Sequence, residues 1–535
     1  MSTNISKQKR NDLINKIKLI KNHIAAAKQD KNTGNLLTYL SELEKEINGK
    51  KYGLVFEEHE EEIDQKLKTH TPVLSEEKDL FIDNGGQMNF LIEGDNLPAL
   101  KLLKKTHKGK IDVIYIDPPY NTGNKDFIYN DKFIDKTDSF KHSKWLSFME
   151  KRLRLANRLL QNTGVIFISI DGNEQAQLKL LCDEIFGEEN FIDNIIWDKK
   201  SSAKGVPPKN MMVNVHEYII AYQKSNGFKF VGQERTEESG KFKNPDNDPR
   251  GPWRESNIKS TIKQIDQAFT IIDPNTGKEY TNTWAFSKKS LERMIKENRI
   301  LWKDTLPKQK EFMREMKNEN MAIRSNWGVF DAQSTTVFLK GLLPDTKFDN
   351  PKPIKLMEYL TKVAVRKDAV VLDFFAGSGT TGHVVMELNK EDGGNRKFIL
   401  CTSNENNICR DVTYERIKRV IAKEKYQASL KYFKVGFVSI DEQLYYEYAD
   451  QLLKHVRELV ELENGINFEG NNKIKIILTD AEFEAFSGNV TELKKCQKIY
   501  LGHDVLVSGV QEKLFKDHEI EINIIPDYYY KELES

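Results

Sequence analysis

The stretch DVIYIDPPYNTG, from Asp112 to Gly123, ends an apolar run in a carboxylate, two prolines and a tyrosine. Proline fixes φ, so Pro118 and Pro119 aim Asp117 before any partner arrives, and Tyr120 sets an aromatic ring beside it. Far downstream, VVLDFFAGSGTTG puts Asp373 at a strand end, then Gly377 and Gly379, then a helix opened by Thr380 and Thr381. Glycines at such a turn let the backbone approach a ligand closely, and a helix N-terminus favours a negative group. No lysine follows the last glycine, which counts against a P-loop, and no G-x-x-x-x-G-K-[ST] string occurs elsewhere. GSGTTG does fit the dinucleotide string G-x-G-x-x-G. On this loop alone a nicotinamide or flavin enzyme stands beside other nucleoside-binding readings, and beside a turn that needs glycine for its shape only.

Strands and helices must hold these loops. NFLIEGD reads as a short strand ending in an acid, and NLPALKLLKK as a helix capped by Asn96. VIYID is a strand, KWLSFMEKRLRLANRLL a strongly periodic helix, VIFISI a buried strand and EYIIAYQ another strand. After residue 345 the alternation resumes: NPKPIKLMEYLTKVAVR (helix), the glycine-loop strand and helix, KFILCTSNE (strand) and VTYERIKRVIAKEK (helix). Strands alternating with helices predict an α/β fold with a doubly wound, mainly parallel sheet. Residues 5–48 read as two helices broken near Gly34, and EEHEEEIDQKL as an acidic, exposed connector. Residues 432–535 read as a further α/β unit with one long helix, EYADQLLKHVRELVEL.

A chain of 535 residues exceeds one core. No apolar run approaches the roughly 18 residues of a membrane span, and the N-terminal stretch lacks the apolar core of a signal peptide, so a cytoplasmic protein with no membrane partner is expected. Cys182, Cys401, Cys409 and Cys496 are scattered without a CxxC pair, so neither a zinc site nor a disulfide framework is indicated. Net charge is only +1, yet residues 199–325 hold 25 Lys/Arg against 16 Asp/Glu, an excess of nine. One basic segment in an otherwise acidic chain points to a polyanion held at one place, or to a lysine-rich solvated surface.

Taken together, DPPY at Asp117–Tyr120 followed much later by FAGSGTT at Phe375–Thr381 resembles an S-adenosylmethionine-dependent DNA amino-methyltransferase of the permuted β group. The strings LIEGDNLPALKLL, YIDPPYNTGNKDFIYND, NPKPIKLMEYL and LDFFAGSGTTGHVVMELN resemble the modification (Mod) subunits of type III restriction-modification systems, over roughly residues 50–430. A dinucleotide enzyme leaves DPPY unexplained. The resemblance implies a circularly permuted class I methyltransferase (Rossmann-like) sheet and direct, in-line methyl transfer to adenine N6 in double-stranded DNA. Asp117 and the Pro118 carbonyl would accept the two N–H bonds of the target amine, and Tyr120 would stack on a base flipped from the duplex. It places S-adenosyl-L-methionine against Asp373, Phe374, Phe375, Ala376, Gly377, Ser378, Gly379 and Thr380, with Lys352 and Pro353 near its methionine part, Asp95 at its adenine and Glu405 at its ribose.

The basic region stands where the family carries its target-recognition domain. Arg250, Trp253 and Arg254, around GPWRES, are its most groove-like residues. The expected organisation is a helical region over 1–85, a catalytic half-core over 86–224, the recognition domain over 225–345, a cofactor half-core over 346–430 and a C-terminal α/β domain over 431–535. The resemblance further implies a homodimer and a separate restriction (Res) subunit as partners. Two other readings stand beside adenine N6: a cytosine-N4 enzyme, and a methylase-shaped recognition subunit that mainly positions a restriction partner.

Overall fold

The computed structural model describes residues 5–26, 31–48, 56–129, 132–135, 137–199, 211–261, 268–318, 320–346, 348, 350–440, 451–502 and 504–525. Its centre is a ten-stranded sheet. In chain order the strands are β1 (His70–Glu76), β2 (Gln87–Glu93), β3 (Ile111–Ile116), β4 (Leu160–Ile170), β5 (Phe191–Asp198), β6 (His216–Gln223), β7 (Asn326–Val329), β8 (Val370–Asp373), β9 (Lys397–Thr402) and β10 (Ala428–Ser439). Their order across the sheet is β1-β10-β2-β9-β8-β3-β4-β6-β5-β7. From β10 to β4 all neighbours are parallel; β1, β6 and β5 join antiparallel.

Alternation along the strands builds two apolar layers. Ile114, Ile116, Ile166, Ile168 and Leu372 face helices Asn96–His107, Lys141–Leu159 and Gln175–Phe186. Val113, Tyr115, Val165, Phe167 and Val371 face helices Ile354–Ala364, Thr380–Asp392 and Glu415–Glu424. A parallel sheet covered on both faces needs such continuous apolar strands, and VIYI and VIFISI supply them. The doubly wound α/β architecture expected above is the one observed.

Several local expectations change. The described N-terminal helices are Ile5–Ala26 and Lys31–Asn48, so Gly34 lies inside the second helix. The acidic connector is part of the fold: Glu62–Thr69 is helical, and Glu61 is buried against Arg152 with bonds of 2.8 and 3.0 Å. His70–Glu76, expected within the helical region, forms the edge strand β1; Pro72 inside it is tolerated because an edge strand has a side with no ladder bonds to make. The cap of helix Asn96–His107 is Asp95, whose carboxylate accepts from Leu97 N at 2.7 Å, one residue before the expected Asn96. The expected long C-terminal helix is described only from residue 451; it breaks in a turn at 454–455 and resumes as Val456–Asn464, which packs into the main core.

The insertion has its own small core of Ile258, Tyr280, Trp284, Leu291 and Ile300 under short strands, a hairpin (Phe269–Ile272 with Glu279–Asn282) and helix Lys288–Lys296. The chain re-enters the main sheet at β7, before residue 345. Near the C-terminus, Ile474–Ile477, Lys498–Leu501 and Glu521–Ile524 form a separate three-stranded parallel sheet around Phe483, Phe486 and Phe515.

Candidate active site

Strands β3 and β8 are hydrogen-bonded neighbours, with Val113 opposite Val371 and Ile114 opposite Leu372. From β3 the chain crosses through helix Lys141–Leu159 to β4 on one side. From β8 it crosses through helix Thr380–Asp392 to β9 on the other side and over the opposite face. The two strands therefore flank a topological switch point, where the loops beyond the carboxyl ends of a parallel sheet open a crevice. Asp117–Tyr120 leaves one strand there and the glycine turn leaves the other.

The catalytic-type loop is held rigid from behind. The Trp145 indole donates to the Pro119 carbonyl at 2.7 Å. Asn121 is buried in a left-handed conformation (φ 56°), its amide donating to Lys141 O at 3.1 Å and to Glu174 at 2.6 Å. Among the described residues no donor meets the Pro118 carbonyl, which leaves it for an incoming group. The Asp117 side chain is 28% exposed, and Lys352 Nζ lies 3.2 Å from its Oδ1. The same ammonium lies 2.9 Å from Glu217 Oε2 and bonds the Tyr120 hydroxyl, which also donates to Glu217 at 3.1 Å. Enclosure pushes the Asp117 carboxyl above its usual range; Lys352 opposes this and Glu217 adds to it.

In the glycine turn, Gly377 and Gly379 take left-handed φ of 49° and 75°. A methyl at Gly377 would meet the Phe348 ring at 3.3 Å. The third glycine serves packing: a methyl at Gly382 would lie 2.9 Å from Ile417 and 3.1 Å from Leu400. Asp373 is buried, accepting from Phe375 N at 3.0 Å and from the Thr381 hydroxyl at 2.5 Å, and burial pushes its carboxyl up to about 7. Behind the turn, the fully buried Arg416 donates to Ser378 O (3.2 Å), Ser378 Oγ (2.9 Å) and Thr380 Oγ1 (2.8 Å). Burial alone pulls its guanidinium down to about 9.

Asp95 shares this sheet edge. Arg152 reaches it at 3.3 Å and also bonds Asn96, whose amide donates to Phe374 O at 2.9 Å. The β2 loop is thereby tied to the glycine turn. Glu405 lies exposed on the short turn Glu405–Asn407 after β9. Pro353 caps helix Ile354–Ala364 next to Lys352, and that lysine faces Asp117 and Glu217.

The three insertion residues are engaged within it. Trp253 is buried, its indole donating to Asp246 at 2.8 Å; Arg250 pairs with Asp248 at 2.6 Å, and Arg254 with Glu311 at 2.6 Å. Glu217, Asn96, Arg152 and Arg416 were not among the sequence candidates. For Arg152 and Arg416 a signal existed: each is a charged residue on the apolar stripe of its helix.

Volume alone does not locate the site. A cleft of about 790 Å³ between Gln233, Tyr359 and Arg396 lies beyond the amino ends of β8 and β9, at the opposite edge from both loops. The chemistry-bearing side chains gather at the carboxyl edge, and the site is placed there.

A doubly wound sheet with these loops at its switch point is the frame of a class I methyltransferase. The chain belongs to the DNA methylase family, whose model matches residues 111–460. It is similar to the type III restriction-modification enzyme StyLTI Mod subunit of Salmonella typhimurium, 36% identical over 392 residues, covering 65% of this chain and 59% of that one. It is also similar to the EcoPI Mod subunit of Escherichia phage P1 (33% over 389 residues; 60% and 58%) and to the type II methyltransferase M.KpnI of Klebsiella pneumoniae (33% over 343 residues; 58% and 79%). The chain spans less than two thirds of the two Mod subunits.

Proposed function

We propose that this chain transfers a methyl group from S-adenosyl-L-methionine to N6 of adenine in double-stranded DNA, as the modification and recognition subunit of a type III restriction-modification system. The observation that carries the reading is the pairing of β3 with β8, which sets a rigid acceptor loop beside a glycine turn on one sheet edge. The turn fits the cofactor: two left-handed glycines bare the backbone, and Asp373–Thr380 would hold it, with Asp95 and Glu405 on the neighbouring loops of the same edge. When bound, S-adenosyl-L-methionine supplies an electrophilic methyl group on a sulfonium.

The chain's own part is positioning. The adenine amine is a poor nucleophile because its lone pair is delocalised into the ring. Asp117 and the Pro118 carbonyl, each accepting one N–H bond, localise that lone pair toward the methyl group. They are preorganised by the prolines, Trp145 and Asn121, so little reorganisation remains for the reaction step. Tyr120 is the stacking surface for an extruded base. An aspartate in DPPY favours adenine N6 over cytosine N4. The basic excess of residues 199–325 supports residues 225–345 as the recognition domain, and the naming of the relatives as Mod subunits of restriction-modification enzymes supports a Res partner; a homodimer belongs to the same reading, and sedimentation would read both.

Asp117→Ala is expected to abolish transfer from labelled S-adenosyl-L-methionine while leaving DNA binding intact; full residual transfer overturns the assignment. Sequencing DNA from expressing cells for modified bases reads the target, and N4-methylcytosine there would overturn adenine N6.

A further inference from the structure

Glu217 has no place among the amine's acceptors, yet it is a carboxylate with its side chain only 12% exposed, beside a second carboxylate. Two enclosed acids of like charge repel, and each costs several kcal/mol unless paired. Both are paired through one group. Lys352 has three N–H bonds and three acceptors: Asp117 Oδ1 at 3.2 Å, Glu217 Oε2 at 2.9 Å and the Tyr120 hydroxyl. The other Glu217 oxygen lies 3.3 Å from Lys199. Asp117 stands just beyond β3, Glu217 on β6 and Lys352 just before helix Ile354–Ala364, so three separate elements fix the ammonium between the carboxylates.

We propose that Glu217 is a positioning residue for methyl transfer: it shares with Asp117 the Lys352 ammonium that keeps Asp117 ionised, so that Asp117 is not consumed by a full ion pair. The inference rests on the reading that Asp117 accepts from the target amine. Burial favours the protonated form of Asp117 and Lys352 opposes it; a protonated carboxyl is the weaker acceptor for an amine N–H. An Asp117 that owned the ammonium outright would make the amine compete with it. Glu217, at 2.9 Å against 3.2 Å for Asp117, draws the ammonium toward itself. Besides Lys352 and Glu217, the titratable groups that feel Asp117 are Tyr120, Tyr115 and Asp373, and Lys199 acts beyond Glu217. Burial raises the Asp117 carboxyl first, Lys352 lowers it and Glu217 raises it.

The pair therefore makes opposite predictions for its two members. The full chain is assayed with labelled S-adenosyl-L-methionine and unmodified genomic DNA between pH 5.5 and 9, and the acidic limb of kcat/KM is read. Lys352→Met is expected to move that limb up by about one pH unit, a tenfold loss below it, and Lys352→Arg to restore it. Glu217→Gln, isosteric and so least disruptive to the fold, is expected to move the limb down while lowering kcat about tenfold. A limb unmoved in Glu217→Gln, or moved up, overturns the inference whatever Lys352→Met does. Retained transfer in Asp117→Ala overturns the underlying reading instead, so the two failures are distinguishable.

Discussion

Replacing Asp373 by Asn is expected to stabilise the fold in a pH-dependent way and to impair the site. Asp373 is 2% exposed, and its two carboxyl oxygens accept from Phe375 N and the Thr381 hydroxyl. Burial, with a further push from Asp117, raises it from 3.8 to about 7. An acid whose folded value lies above its unfolded one keeps its proton longer in the folded chain. Between pH 4 and 7 the folded state then binds more protons than the unfolded one, so stability falls as pH rises through that window and levels off above it. At 1.36 kcal/mol per unit, the fall between pH 5 and pH 8 is about 3 kcal/mol. Asparagine has the same shape and no charge, and its amide can face Thr381 Oγ1.

The measurement is urea unfolding of wild type and Asp373→Asn at pH 5 and pH 8, followed by circular dichroism. The variant's advantage should be about 3 kcal/mol larger at pH 8, while its methyl transfer is lower than wild type at both values. An advantage equal at the two pH values would refute the reasoning, because it would mean that Asp373 is ionised, or protonated, throughout.

Arg152→Met should destabilise the chain by about 3–5 kcal/mol in thermal or urea unfolding, since it strands the buried Glu61 and releases Asn96 from the glycine turn. Gly377→Ala and Gly382→Ala should part company: the first strains a left-handed residue at the turn and weakens calorimetric binding of S-adenosyl-L-methionine about tenfold or more with a small melting shift, whereas the second wedges helix Thr380–Asp392 from Ile417 and Leu400 and mainly lowers the melting temperature.

The parts of this fold written as local patterns were legible. VIYI and VIFISI are apolar on both faces because both faces are covered, and the loops after them carry residue types that leave few chemical choices. What was not legible depends on partners distant in the chain. Glu217 opens EYIIAYQ, where an acid at a strand start reads as a solvated end; only the fold brings Lys352 to it. Arg152 follows Trp145 and Met149 and precedes Ala156 and Leu159 on the buried stripe of its helix, a charge among apolar residues, yet its partner Glu61 lies in a stretch whose acidity reads as exposed. β1 carries a proline and β7 is the short NWGV, so neither presents the alternation by which strands are recognised.

The spacing between the two functional loops is a property of the core and not of the chain between them. Some 120 residues, 225–345, follow β6 before the chain reaches the glycine-turn strand β8, yet β3 and β8 are joined directly by ladder bonds. Their register is fixed because Val113 and Val371 enter one apolar layer while Ile114 and Leu372 enter the other; a slip of one residue would reverse every face. The ladder therefore sets the loop of Asp117 beside that of Gly377, while Phe228, Phe230, Trp327 and Phe338, from within 225–345, pack against the layer that holds Val113 and Val371. The insertion's own small core, around Ile258, Trp284 and Leu291, is a separate apolar cluster, so substitutions there are expected to leave the acceptor loop in place beside the glycine turn.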